Sequence, residues 1–187
     1  MATKKEISIN VLKVNTGKIE INILGMTPVI LARLSEKAKC QLLMPPGKKT
    51  AAQKANSLKH NPYQEYRASP YMSTDQDSPT LLCGLSVWFK KALMGAALDI
   101  PGSSKSQIGR LVWVEGEKIP IYGEPKLFMA ITRSADMNRT PDVRTRCIVP
   151  EWACRITLRF IKPIMTEQVI VNLMSAAGLM QGVGDWR

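Results

Sequence analysis

Apolar and polar residues alternate with a period of two over residues 6–14, Glu-Ile-Ser-Ile-Asn-Val-Leu-Lys-Val, and again from Lys18 to Leu24. Such alternation offers one face to a core and the other to water, as a half-buried strand does. With Thr16-Gly17 as the turn between the two runs, the opening predicts a β-hairpin, which Gly25 to Pro28 ends.

From Arg33 to Met72 the alternation stops. Arg33, Lys37, Lys39, Lys48, Lys49, Lys54, Lys59 and Arg67 stand against only Glu36 and Glu65, around a Pro45-Pro46-Gly47 break. Tyr63, Tyr66 and Tyr71 follow in close succession. Apolar residues are too few for a core, so the stretch 33–80 predicts a long, extended basic insertion with one short helix near 33–40. Lysines and arginines interleaved with aromatics can neutralise phosphates and stack on exposed bases. A solvated loop that packs its tyrosines on a neighbour is the plainer alternative.

Beyond Ser78-Pro79 the period becomes helical. Leu85, Trp88, Phe89, Ala92, Leu93, Ala96 and Ala97 recur at i, i+3, i+4 and predict a helix over 85–99, with Lys90 and Lys91 on its opposite side. Ile100-Pro101-Gly102 stops it, and Ser103 to Ser106 cap a second, short helix reaching Arg110. Strands are expected at Leu111–Val114, Lys118–Tyr122 and Lys126–Thr132, with Gly116 and Gly123 at their turns. After a polar excursion from Arg133 to Asp142 that carries Arg139, the run Val143–Val149 sets Arg144 and Arg146 on one face. Guanidinium forks suit phosphate oxygens. Ion pairing with Asp136, Asp142 or Glu151 is the competing use of the same arginines. Ala153–Ile161 is the clearest strand, and Thr166 caps a last helix whose stripe is Val169, Ile170, Leu173, Met174 and Ala177. The chain closes on Gln181-Gly-Val-Gly-Asp-Trp-Arg187. A strand, a helix and a glycine turn usually deliver another strand, so the ending points to a longer native chain with a basic tail.

Composition narrows the function. Hydrophobic residues make up 45%, enough for a globular core, and no apolar run is long enough to span a bilayer. The N-terminus lacks the apolar stretch of a secretion signal, so a cytoplasmic protein with no membrane partner is expected. Cys40, Cys83, Cys147 and Cys154 are scattered and read as reduced, small hydrophobes. With His60 the lone histidine, neither a zinc site nor a nucleophile–His constellation can be assembled, and no cofactor is expected. Asp75 with Asp77, and Asp136 with Asp142, read as turn chemistry, which argues against a metal-dependent nuclease. The formal net charge of +11 is the strongest signal, since a field of that sign attracts polyanions at long range.

The order of elements suggests an α+β fold: a ferredoxin-like or RRM-like antiparallel sheet in a single domain, with the long basic insertion. Phe89-Lys90-Lys91-Ala92-Leu93-Met94, Ile100-Pro101-Gly102 and the terminal Gly182-Val-Gly-Asp-Trp-Arg187 resemble the RAMP superfamily, the backbone and processing subunits of CRISPR effector complexes. A phage or mobile-element relative would carry the same signs. The resemblance implies RNA against the glycine loop, with Gly182 and Gly184 allowing close approach of phosphate and Lys90 and Lys91 nearby. Two expectations follow. One is a protein that coats single-stranded RNA or DNA as a repeated oligomer or multi-subunit assembly, not an enzyme. The other is a phage assembly or inhibitor protein whose 61–72 stretch straps a neighbouring subunit.

Overall fold

The computed structural model describes residues 13–44, 47, 60–133 and 141–185. Its elements, in chain order, are β1 (Asn15–Leu24), β2 (Val29–Leu31), α1 (Glu36–Leu43), α2 (Pro62–Ala68), β3 (Tyr71–Met72), β4 (Leu82–Leu85) and α3 (Ser86–Ala96). Then come α4 (Lys105–Leu111), β5 (Val112–Val114), β6 (Lys118–Gly123), β7 (Lys126–Arg133), β8 (Pro141–Val149), β9 (Trp152–Lys162) and α5 (Glu167–Met180). The described residues thus make a mixed α/β chain with five helices, compatible with an α+β class. One sheet runs β1-β9-β6-β4-β3 with β5 also on β9, the other runs β2-β8-β7, and every described pairing is antiparallel.

Alternation in β9 decides where the core lies. Trp152, Cys154, Ile156, Leu158 and Phe160 are buried, whereas Arg155 and Arg159 are exposed. The buried set packs with Phe89, Ala92, Leu93 and Ala96 of α3 and with Ile170, Leu173 and Ala177 of α5. Burying a side chain of the size of Phe160 or Leu158 contributes on the order of 1.5–3 kcal/mol each, so this layer of helices on one sheet face is the main source of stability. Val169, expected in the stripe of α5, is 45% exposed, and Met174 is only partly buried.

The opening hairpin needs correction. Residues 6–12 lie outside the described residues, but Thr16 and Gly17 are not a turn. They are strand residues of β1, opposite Ile161 and Phe160. A Cβ at Gly17 would overlap the Phe160 ring, so this glycine serves the packing of a core aromatic. A similar close approach bends the molecule. β1 continues into β2 and β8 into β9, so two paired strands pass together from one sheet to the other. At the corner the Gly25 N–H donates to the Trp152 carbonyl at 2.8 Å, and the Trp152 indole N–H donates to the Thr27 carbonyl at 2.9 Å. Any Cβ on Gly25 would run into that indole.

The tyrosine stretch also differs from expectation. Rather than an extended strap, residues 62–68 form α2, with Asn61 accepting from the Gln64 N–H and Pro62 in the first turn. The helix lies along the edge of β8, where β2 covers only Cys147 to Val149. Glu65 accepts from the Thr145 N–H at 3.2 Å and the Ser69 hydroxyl accepts from the Cys147 N–H at 2.7 Å. Four helical residues rise about 6 Å and two strand residues about 6.6 Å, so an i, i+4 pair on a helix matches an i, i+2 pair on a strand.

The other elements fall close to their predicted ranges, with helical N-caps at Ser104 and Thr166. β2 and β4 are short apolar runs with no period to betray them. The helix predicted to start at Leu85 starts one residue later, because Leu85 closes β4 opposite Lys118.

Candidate nucleic-acid interface

Directly opposed residues of antiparallel strands share a face. On β9 the polar face is Ala153, Arg155, Thr157, Arg159 and Ile161, and the register carries it onto β1, β5 and β6. Arg159 stands between Lys18 and Trp113. Thr157 stands opposite Glu20 and accepts, through its carbonyl, from the Glu115 N–H at 2.8 Å. Arg155 faces Asn22, and Ala153 stands between Leu24 and Tyr122. The helices of the core lie behind this surface, which leaves Lys18, Glu20, Asn22, Arg155 and Arg159 exposed. Trp113 keeps 39% and Tyr122 46% of its surface open. An open depression beside Tyr122 is lined by Asn22, Ile23, Ala153, Cys154 and Arg155.

The two arginines of this face are held differently. Arg155 donates from Nε to the Asn22 amide oxygen at 2.9 Å, a neutral acceptor, so its charge is uncompensated among the described residues. Arg159 donates to the Glu115 carboxylate, which Lys18 approaches from the other side at 3.4 Å. The hydrogen bond from Arg159 holds the Glu115 carboxyl below the usual carboxylate range. Stacking surfaces and guanidinium groups therefore occupy one plane.

Arg144 and Arg146 do share a face of β8, as alternation predicts, but their charges meet carboxylates of the same chain. Arg144 lies 3.7 Å from Asp142, and Arg146 lies 3.7 Å from Asp185 while donating to the Thr145 carbonyl at 3.0 Å. Of the ion-pair partners expected, Asp142 is one; Asp185 was not anticipated, because the end of the chain folds back on β2. His60, for which no partner was expected, sits between two: its Nδ1 is 2.7 Å from Glu65 and its Nε2 is 2.9 Å from Asp142.

The remaining predicted positions disperse. Lys48, Lys49, Lys54, Lys59 and Arg139 lie outside the described residues. Tyr63 is 73% exposed on α2 with Arg67 in the same helix. Tyr66 instead packs against the core, donates to the Pro125 carbonyl at 3.2 Å, and has its phenol pushed up by burial. Tyr71 and Trp88 pack edge to face, their ring centroids 5.3 Å apart. Lys90 and Lys91 are on α3, in the helical layer behind the open face, and Arg133 ends β7. Both glycines of the closing loop have internal reasons to be glycine. Gly182 (φ 64) donates to the Ala177 carbonyl and ends α5, and Gly184 (φ 95) lies against Val29 and Ile30 of β2. Asp75 accepts from the Asp77 N–H at 3.0 Å, the turn chemistry expected of that pair. Among the described residues no three His, Cys, Asp or Glu side chains converge as a metal site.

Sequence reasoning missed Lys18, Trp113, Tyr122, Arg155 and Arg159. The signal for the last two was present in the period of two along β9. What joins them to Trp113 and Tyr122 is cross-strand register, which the sequence does not print. No protein-family model matches this chain, and no curated protein is significantly similar to it.

Proposed function

We propose that the chain binds single-stranded nucleic acid on the open face of the larger sheet. The observation that carries this reading is the coexistence, on one sheet surface that the described residues leave open, of Arg155, Arg159 and Lys18 with the exposed rings of Trp113 and Tyr122. Guanidinium and ammonium groups neutralise backbone phosphate, and exposed rings stack on unpaired bases whatever their identity. The net charge of +11 supports a polyanionic partner. In this reading the sheet is used as an RRM-like surface is, with helices behind and ligand in front, and the basic 33–80 segment adds backbone contacts in a repeated assembly. The chain acts by holding its ligand and not by chemistry on it.

The test is fluorescence anisotropy of labelled single-stranded RNA and DNA over a salt series. The expected result is binding that weakens steeply with salt, barely depends on sequence, and falls sharply in Trp113→Ala. Equal affinity of wild type and Trp113→Ala would refute a stacking face.

A further inference from the structure

We propose that Glu115 is a built-in competitor for phosphate, so that this face selects a chain of phosphates over a free nucleotide. The inference rests on the reading of the open sheet face as the nucleic-acid site. Glu115 follows Trp113 by two residues, and its N–H is tied to the Thr157 carbonyl at 2.8 Å, which holds the residue at the level of Thr157. From there its carboxylate reaches the Arg159 guanidinium and the Lys18 ammonium together. That is the arrangement a phosphate oxygen would adopt: an anion clamped between a guanidinium and an ammonium on an exposed surface. The hydrogen bond from Arg159, which holds the Glu115 carboxyl below the usual carboxylate range and so favours its charged form, is the counterpart of that clamp.

A consequence for ligand size follows from the second arginine. Arg155 is four strand residues from Arg159, about 13 Å along β9, too far for one phosphate to reach both. A lone nucleotide at Arg159 must exchange one anion for another and gains little. An oligonucleotide first engages Arg155, whose neighbour Asn22 carries no charge. Its next phosphates then meet the Arg159–Lys18 pair at high effective concentration and displace Glu115.

The experiment compares wild type, Glu115→Gln, and Glu117→Gln as a charge-matched control from the same connection between β5 and β6, using a labelled oligothymidylate with free thymidylate as competitor. Glu115→Gln is expected to bind about threefold to fivefold tighter at low salt, the scale of an exposed ion pair. Its salt dependence should steepen by roughly 0.7, one further single-strand phosphate. Free thymidylate should compete with Glu115→Gln and hardly with wild type. The gain should vanish in an Arg159→Ala background. An unchanged affinity in Glu115→Gln, an equal gain in Glu117→Gln, or a gain that survives Arg159→Ala would each overturn the proposal and leave the face itself in place. Absence of binding by wild type would overturn both.

Discussion

Two arginine pairs, each set on one face of a strand by the period of two, have opposite settings. On β8, Arg144 and Arg146 meet Asp142 and Asp185, and the Arg146 guanidinium also serves the Thr145 carbonyl. On β9, Arg155 rests on an amide, and only Arg159 meets a carboxylate, on a surface shared with Trp113 and Tyr122. The first pair ties the chain's end and the smaller sheet together. The second faces outward from a sheet whose other face is packed against helices. A strand's own sequence gives the face of an arginine, but its role depends on what distant segments bring to it.

The two pairs should respond differently to substitution. The largest effect is expected on the structural side. Glu65→Ala leaves the Thr145 N–H without its acceptor and removes one partner of His60, which should cost roughly 1–3 kcal/mol and lower the melting temperature by several degrees while oligonucleotide affinity stays near wild type. A loss of affinity with unchanged melting would move the binding site to α2 and β8. Next, the double change Arg155→Ala, Arg159→Ala should weaken oligonucleotide binding about tenfold or more at low salt and reduce the salt slope by roughly 1.4. The same double change at Arg144 and Arg146 should alter affinity by less than about threefold, the residual effect of net charge. In thermal melts the ranking should reverse. Arg146→Ala is expected to lose about 1 kcal/mol, or 2–4 °C, against less than about 0.5 kcal/mol for Arg155→Ala.

The smallest effect is a control on the core. Burial pushes the thiols of Cys147 up to about 11 and Cys154 up to about 12, and raises Cys83 as well. Below those values the thiolate that reacts is scarce, so a thiol reagent at mildly alkaline pH should label exposed Cys40 quickly and the other three only after denaturation. Rapid labelling of a second thiol in any arginine variant would mean that the variant had opened the fold.

Much of the framework was legible because it rests on local chemistry. The alternation of β9, the stripe of α3, and the caps at Ser104 and Thr166 each follow from residues within one element. What escaped were features made by pairs far apart in the chain. Thr16-Gly17 has the composition of a turn, yet Phe160 requires that glycine inside a strand. Tyr66 and Tyr71 resembled stacking platforms until Pro125 and Trp88 supplied their contacts. Trp113 looked like one more strand residue until Arg159 was found opposite it. Three of the four cysteines are buried as small hydrophobes, while Cys40 is exposed on α1.

The bent ribbon at Gly25 and Trp152 has a consequence for synthesis. β1 pairs with β9 along its whole length, and β9 emerges from the ribosome well over a hundred residues after β1. At about 5–20 residues per second that interval is on the order of ten seconds, during which Ile19, Ile21 and Ile23 have no strand to meet. Pairings of such long sequence separation are slow to close even once both partners exist. β1, the first strand among the described residues, is therefore among the last to be seated, and a young chain carries its sticky apolar edge until β9 has been made. Expression at lower temperature, or with a holdase present, should raise the yield of folded protein by shielding that single segment.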